Sequence, residues 1–394
     1  MASGKKLSLL LEPADGHAQR LSLESAMLQH APRPDVLLPR TMRADGEAPD
    51  DLRRQRWSVI VPAGSRGKRL LELLAPLIKR REEQQGCKVA VHSVSDQFGS
   101  EISHRQAFIW QDENFRYSTP EAEPLYQLLV GDLDEIPLAI QQVQSIRGRV
   151  GRIAFDHDPH YREYANKVLL WEDHPPCVAD PDAILYTVHD TSRSNEQAHQ
   201  ELIQPIDRML QDMQLRRVLQ PENANLSSPD DFYKLAATRR PSVMLSVSHG
   251  VAAPGRGYRH QRSLQGAMSF GKNGHISGCD VAERDFLRGG VWLMNSCFSA
   301  GTPRSSVYHR WLAELREMGR HRDGIDHALA CLAEKEPFIS ALAKAALSNP
   351  NGPLAVVGHI EKASDSAARS LQLVDACGCC AMISFAAFFS VTPR

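Results

Sequence analysis

Residues 289–301 read "GGVWLMNSCFSAG", an apolar run that ends abruptly at Asn295, Ser296 and Cys297. Short apolar runs with β-branched and aromatic side chains are typical of a buried strand. Glycines and other small residues lie on both sides of the run and indicate turns there. The stretch therefore predicts a core strand that carries Cys297 to the edge of a sheet.

A second apolar run of the same kind occurs earlier in the chain. Residues 242–250 read "SVMLSVSHG", which ends at His249 and Gly250. Ligands of open parallel sheets bind beyond the carboxyl ends of the strands, so we expect His249 and Cys297 to share one edge of a sheet. Taken alone, the cysteine can also be read as a small core residue and the histidine as part of an ordinary turn.

A histidine and a cysteine at one edge can act as a catalytic dyad. A thiolate at Cys297 would attack a peptide carbonyl, and the imidazole of His249 would give a proton to the leaving amine. The backbone N–H groups of Gly250 and Cys297 would hold the developing oxyanion, at about 3–4 kcal/mol per donor. The small residues Ser299–Gly301 would let the chain turn without covering the nucleophile.

Strands and helices alternate through much of the chain, which predicts mostly parallel sheets. The first unit is a strand at 56–63, a helix at 66–86 and a strand at 88–94, with Pro76 expected to bend the helix. A new alternation begins with a strand at 183–190. We therefore predict an extended N-terminal arm, a non-catalytic α/β subdomain and a catalytic domain, at 1–55, 56–178 and 179–394.

The bulk composition limits the class of protein. The chain has 394 residues, a formal net charge of -1 and 42% hydrophobic residues, as is typical of a globular protein with more than one unit. The near-neutral charge gives no electrostatic case for binding nucleic acid. No run approaches the roughly 18 apolar residues of a membrane span. The eight scattered cysteines and the lack of a secretory signal predict a reduced, cytoplasmic protein.

Three further motifs can be read as ligand sites, and we favour none of them. Residues 266–273 approach a phosphate loop, but Asn273 stands where a hydroxyl residue is needed. The segment Asp156–His160 offers metal ligands in what reads as a turn, and the cysteines within Cys377–Cys380 lack a matching second pair. We therefore expect no metal and no cofactor.

Both candidate motifs occur in a known group of enzymes. "SVSHG" and "NSCFSAG" resemble the histidine and cysteine motifs of caspase-fold cysteine peptidases, a group that includes caspases, metacaspases, gingipains and bacterial CHAT-domain proteases. The interval between His249 and Cys297 is close to the roughly 50 residues that separate this pair in caspases. Upstream, "YQLLVGDLDEIP" (126–137) and "GRIAFDHDPHYREYANKVLLWE" (151–172) are similar to segments that close the non-catalytic subdomain of gingipains and their bacterial relatives.

The resemblance implies a fold, an activity and a class of substrate. Over about residues 56–360 it implies two adjacent caspase-like three-layer α/β/α subdomains, of which the second is catalytic. It implies a cysteine endopeptidase that uses His249 and Cys297 as its dyad, with Gly250 at the oxyanion site. Its partner would be a protein or peptide substrate, such as one dedicated effector protein, cleaved by limited proteolysis. A catalytically silent module that binds a partner is the alternative.

The resemblance also implies where the substrate side chain would bind. In the family this pocket is lined by the end of the first catalytic-domain strand and by the position two residues before the cysteine, which are Asp190 and Asn295 here. A carboxylate at Asp190 favours Arg or Lys in the substrate, whereas Asn295 departs from the aspartate of metacaspase-like members. Both also read as ordinary strand-end residues. The segment 251–280 can be a flap over the substrate, a maturation site cleaved at Arg256, Arg259 or Arg262, or a solvated loop.

Overall fold

The computed structural model describes residues 51–116, 124–173, 182–212, 218–219, 227–238, 240–252, 257–306 and 330–361, together with positions 313, 317 and 326. Contacts between Cα atoms group Leu52–Arg394 into one compact unit, distinct from Met1–Asp51. Most of the predicted arm and the segment Cys377–Cys380 lie outside the described residues. So do most of residues 305–320, for which the sequence pattern predicts a helix.

The strands are short and are distributed through the whole described chain. They are β1 (Trp57–Pro62), β2 (Ala90–Val94), β3 (Tyr126–Val130), β4 (Arg149–Ile153), β5 (Asp182–Thr187), β6 (Val218–Leu219), β7 (Ser242–Val247), β8 (His249–Gly250), β9 (Met268–Ser269), β10 (His275–Ile276), β11 (Val291–Asn295), β12 (Gly301–Thr302), β13 (Phe338–Ile339) and β14 (Ala355–Val357).

The helices alternate with these strands. They are α1 (Leu52–Gln55), α2 (Gly64–Leu73), α3 (Ala75–Gln85), α4 (His104–Asn114), α5 (Leu138–Gln144), α6 (Asp158–Asp173), α7 (Arg193–Ala198), α8 (Gln204–Asp212), α9 (Pro229–Ala236), α10 (Tyr258–Leu264), α11 (Gly278–Val281) and α12 (Ala341–Ser348). A π-helical turn, His199–Ile203, joins α7 to α8.

The first sheet, which we call sheet A, has the strand order β2-β1-β3-β4 with every pair parallel. Successive side chains of a strand point to opposite faces, so Val59 and Val61 of β1 pack beneath α2, α3 and α6, while Ile60 packs beneath α4 and α5. Sheet A is therefore the middle of three layers, as the resemblance implies.

The helix expected at 66–86 is two helices rather than one bent helix. α2 ends at Leu73, Leu74 leaves the helical conformation (φ -95°, ψ 2°), and α3 begins with Pro76 in its first turn. Proline is tolerated there because the first N–H groups of a helix have no partner within it. The break therefore falls just before Pro76. Gly86 ends α3 in the left-handed conformation (φ 72°), as the sequence predicts.

The second sheet, sheet B, has the order β14-β11-β7-β5-β6, again with every pair parallel. Ala183 and Leu185 of β5 pack against α7, the π-helical turn and α8, whereas Ile184 and Tyr186 face α9, α11 and α12. Sheet B is thus also the middle of a three-layer α/β/α arrangement. The predicted α/β class with two mainly parallel sheets is confirmed, and it is consistent with a caspase-like fold.

The two glycines before β11 have a packing role. A Cβ on Gly289, whose φ is +68°, would lie 2.3 Å from ring carbons of Trp171 on α6. A Cβ on Gly290 would lie 2.2 Å from the carbonyl oxygen of Ser242, where β7 begins. Only glycine allows the chain to pass this closely, so the pair sets the start of β11 against both its neighbour strand and a helix of sheet A.

Helix α12 lies between the two sheets and contributes to both cores. Leu342 and Ala346 belong to the core over sheet B, whereas Leu347 belongs to the core over sheet A. The ammonium of Lys167 on α6 donates to the carbonyl oxygens of Leu347, Asn349 and Pro353 at 2.7–2.8 Å. The ammonium of Lys167, from a helix that packs on sheet A, therefore satisfies carbonyl groups at the C-terminal end of α12.

Within the described residues, no helix is both long enough and apolar enough to cross a membrane.

Candidate active site

The ends of β7 and β11 meet at one edge of sheet B. Their parallel register pairs Val291 with Val243 and continues to Asn295 and Val247. One residue further on, the Ser248 N–H donates to the Asn295 carbonyl at 3.2 Å. The two strands therefore leave the sheet side by side, each followed within two residues by a candidate catalytic side chain.

Gly250 lies directly against the backbone of Cys297. A Cβ added to Gly250 would be 3.1 Å from the Cys297 nitrogen and 1.8 Å from its carbonyl oxygen, and the second distance is closer than any real side chain comes. The structure thus brings the His249–Gly250 strand and Cys297 together, as the two motifs predict. Any other residue at position 250 would force the cysteine loop to move.

The pairing of β8 with β9 determines where the Gly250 N–H points. His249 lies opposite Ser269 and Gly250 opposite Met268 in this antiparallel pair, and the next N–H, of Val251, donates to Ala267 at 2.8 Å. Hydrogen-bonded and non-hydrogen-bonded pairs alternate in such a ladder. Gly250 therefore occupies a non-hydrogen-bonded pair, and its N–H points away from β9, as an oxyanion donor requires.

Unfavourable backbone conformations lie next to the site. Among the described residues four non-glycine positions have positive φ, and two of them are Thr191 (67°) and Phe298 (57°). Thr191 follows Asp190, and Phe298 follows Cys297. Such conformations cost roughly 1–3 kcal/mol each and persist only where the surroundings enforce them. The tight turn after the cysteine is made by a buried phenylalanine and by none of the small residues beyond it.

Ser299–Gly301 is packed rather than open, which corrects its interpretation as clearance around the nucleophile. The Ser299 hydroxyl is fully buried and donates to the Ser296 carbonyl at 2.9 Å. The Ala300 N–H donates to the carbonyl of His359, and a Cβ on Gly301 would lie 2.7 Å from the Phe338 carbonyl. The residues are small because neighbouring segments press on the loop from two sides.

His249 is held by the loop between β5 and α7. Its Nε2 lies 3.0 Å from the hydroxyl of Ser192 and 3.3 Å from that of Ser194. The carboxylate of Asp190 is 3.7 Å from the same nitrogen. The imidazole side chain is 43% exposed, so it is accessible to a reacting group while one of its nitrogens is occupied.

The two predicted pocket residues have different surroundings. The Asp190 carboxylate is 9% exposed, and one of its oxygens accepts the Ser192 N–H at 3.0 Å. Asn295 is the last residue of β11, partly buried, with its carbonyl engaged by Ser248. Asp190 therefore lies beside the candidate base His249.

The sequence does not single out the two serines that contact His249, Ser192 and Ser194. The one available signal is that a Ser directly before a helix, such as Ser192, is a usual N-cap.

The segment 251–280 is folded where it is described. It contains α10 and the antiparallel pair β9–β10, and the Gly266 Cβ position is 2.1 Å from the Phe298 carbonyl. Arg262 of α10 binds Asp132 at 2.9 Å and Asp156 at 3.2 Å. This part of the chain is therefore attached to sheet A and to the turn after Cys297, which rules out a freely solvated loop for 257–280.

The alternative ligand motifs have ordinary partners. The Asp156 carboxylate binds Lys344 at 2.8 Å, and that of Asp158 binds Arg66 at 2.8 Å. Residues 266–273 form β9 and a 3-10 turn and lead into no helix. Among the residues that the structure describes, no group of three or more His, Cys, Asp or Glu side chains is arranged to hold a metal ion.

No family model matches the chain, and no curated protein matches it. Among solved structures, one described as "Structure of Protease" is similar at 12% identity, with a TM-score of 0.48 over 78% of this chain and 60% of that one. The Arg-specific cysteine proteinase gingipain R is similar at 11% identity, with a TM-score of 0.46 over 79% of this chain and 63% of that one. The chain spans about three fifths of the length of these two structures.

Proposed function

We propose that this chain is a cysteine endopeptidase that performs limited proteolysis through a dyad of His249 and Cys297. The observation that carries the proposal is the contact of Gly250 with the Cys297 backbone, at the shared edge of two strands in parallel register. Strand ends in this arrangement are where α/β proteins place their reactive groups. Gly250 directly follows His249, and its N–H points away from the neighbouring strand β9.

The reaction follows from these groups. The Cys297 thiol transfers its proton to the imidazole of His249, and the thiolate attacks the carbonyl carbon of the scissile peptide bond. The oxyanion that forms is held by the N–H groups of Gly250 and Cys297. The carbon–nitrogen bond breaks as the imidazolium gives its proton to the leaving amine. Water, deprotonated by His249, then hydrolyses the thioester and restores the thiol.

For the substrate we propose a protein partner cleaved after a basic residue. Asp190 supplies a carboxylate close to His249 and at the same edge of the sheet, and an arginine or lysine side chain is its natural counterpart. Asn295 supplies a neutral amide at the second pocket position, where a second carboxylate would strengthen the preference for Arg or Lys. A dedicated effector protein, cleaved at one site, fits limited proteolysis. The other candidate function is binding of a partner without cleavage.

Hydrolysis of a fluorogenic peptide library separates the two functions. We expect turnover, strongest for peptides that end in Arg or Lys, and complete loss of turnover in Cys297→Ala. Cys279→Ala is the matched control because Cys279 is an exposed cysteine on α11, and this variant should keep full activity. A wild-type chain that cleaves nothing in the library would leave partner binding as the function. A Cys297→Ala chain that still cleaves would contradict Cys297 as the nucleophile.

A further inference from the structure

The strongest unassigned feature of the site is the pair of hydroxyls that face His249. A catalytic imidazole must present the correct nitrogen to the thiol, and the hydrogen bond at its other nitrogen decides which tautomer does so. In this chain Nε2 is the occupied nitrogen, with Ser192 at 3.0 Å and Ser194 at 3.3 Å. Ser192 directly precedes α7 and Ser194 lies in its first turn, both more than 50 residues before the histidine.

We propose that Ser192 is the positioning residue for His249: its Oγ accepts the Nε2–H and so leaves Nδ1 as the base for Cys297. This inference rests on the proposed peptidase function and adds to it a residue that the dyad requires. Ser192 touches neither substrate nor nucleophile in this scheme and acts only through the imidazole.

Ser192 is more firmly held than Ser194. It is the N-cap of α7, where its hydroxyl accepts the Asn195 N–H at 3.4 Å, and its own N–H donates to the Asp190 carboxylate at 3.0 Å. Asn195 is buried and donates in turn to the Val188 carbonyl. Thr191, with its positive φ, makes the turn that brings Ser192 to the histidine. Ser194 lies within the first turn of α7 and is further from the ring.

Asp190 completes the arrangement as the charged neighbour. Its carboxylate is 3.7 Å from Nε2, too far for a direct hydrogen bond, and it is 9% exposed. The chain thus places a hydroxyl in contact with the ring and a negative charge just behind it. Replacement of the serine removes the contact and leaves the charge, so the two contributions can be measured separately.

The test measures alkylation of Cys297 by iodoacetamide as a function of pH, resolved by peptide mass mapping, and needs no peptide substrate. Exposed Cys87 on the same chain is the internal reference. We expect wild-type Cys297 to react at pH 6 at least ten times faster than Cys87. Ser192→Ala should lower that rate about 10-fold, the scale of one hydrogen bond to a charged group, and should shift the pH profile upward.

Three variants separate positioning from a general loss of structure. Ser192→Thr keeps a hydroxyl and a good N-cap, so it should restore the wild-type profile. Ser103→Ala removes the N-cap serine of α4, on sheet A, and should leave the profile unchanged. Ser194→Ala should change it less than Ser192→Ala.

The possible failures are distinct. A wild-type profile in Ser192→Ala, or a larger loss in Ser194→Ala, would overturn the positioning role and leave the peptidase intact. A wild-type Cys297 that reacts no faster than Cys87 would contradict the dyad itself, and with it both proposals.

Discussion

The carboxyl edges of the two sheets are built in opposite ways. After β3 and β4 of sheet A, the carboxylates of Asp132 and Asp156 are bound by Lys344 of α12 and Arg262 of α10. After β7 and β11 of sheet B, the chain presents a partly exposed imidazole and a partly exposed cysteine.

The difference shows how one fold can serve two purposes. The edge of sheet A is closed by ion pairs that attach α10 and α12 to it, and the central pair is buried, since Lys344 and Asp132 are 6% and 8% exposed. The edge of sheet B is shaped by close backbone contacts, and the side chains of His249 and Cys297 remain partly exposed. The first edge contributes stability and the second contributes chemistry. Each prediction below changes one edge, or the contact of Lys167 with α12, and leaves the remaining features in place.

The largest effect is expected at the closed edge. Asp132→Ala leaves the buried Lys344 ammonium without its nearest partner and the Ile339 N–H without its acceptor. Removal of one member of a buried ion pair costs about 3–5 kcal/mol, and urea unfolding should show a loss of this size. The control Asp158→Ala breaks more exposed pairs with Arg66 and Arg69 and should cost about 1 kcal/mol or less. Equal costs for the two variants would remove the distinction between a closed edge and ordinary surface pairs.

The second-largest effect on stability is expected for Lys167. Burial lowers the pKa of Lys167 to about 7, although its ammonium is surrounded by three carbonyl oxygens. Lys167→Met leaves these oxygens without a donor, so we expect a loss of about 2–4 kcal/mol in the free energy of unfolding. Lys79→Met is the matched control, because Lys79 is 78% exposed and should tolerate the change. An unchanged free energy of unfolding in Lys167→Met would show that α12 does not depend on this contact.

At the edge of sheet B, a methyl group added at Gly250 should lower kcat more than it lowers the free energy of unfolding. Gly250→Ala drives a Cβ into the Cys297 carbonyl, so the cysteine loop and the oxyanion donor must shift. We expect kcat to fall by about 10²–10³, as for loss of one oxyanion donor, with a destabilisation of about 1–3 kcal/mol. Gly151→Ala on β4 meets open space and should change neither quantity. Full activity in Gly250→Ala would mean that the contact has no part in the reaction.

The smallest effect is expected for Asp134, on the pH dependence of the free energy of unfolding. Burial, with help from the charge of Asp132, raises the pKa of Asp134 to about 6. Asp134 is therefore protonated in the folded chain between about pH 3.9, the unfolded value, and pH 6, and its own contribution to the free energy of unfolding falls as the pH rises through this window. Asp134→Asn should flatten that slope and stabilise the chain at pH 7 by about 1 kcal/mol, after allowance for partial exposure. Denaturant titrations at pH 4 and pH 7 measure both, and an unchanged slope would contradict the shift.

The strands and the approach of the two motifs could be predicted, because each depends on local pattern. Apolar runs locate β7 and β11, and the rule that parallel strands share a carboxyl edge brings His249 toward Cys297. Pro76 predicts a bend within one helix, but it lies in the first turn of a new helix. The sequence pattern does not distinguish the two cases, because the cost of proline depends on which turn of the helix contains it.

The contacts that hold the site could not be predicted, because they join residues far apart in the chain. Ser192 reaches His249 over 57 residues, and Lys344 reaches Asp132 over 212 residues. The first depends on a positive φ at Thr191 and the second on how α12 packs between the sheets. Neither follows from composition or periodicity. The interpretation of Ser299–Gly301 failed for the same reason, since the residues that press on this loop, Phe338 and His359, lie about 40–60 positions later.

Covalent labelling with a peptidyl ketone that reacts with catalytic cysteines tests the central claim most directly. With an Arg-containing probe, intact mass and peptide mapping should show one adduct, on Cys297, and the labelling rate should fall at least 100-fold in His249→Ala, the lower end of the range for general acid–base catalysis. No adduct on Cys297, or equal rates with and without His249, would contradict a dyad at the open edge of sheet B.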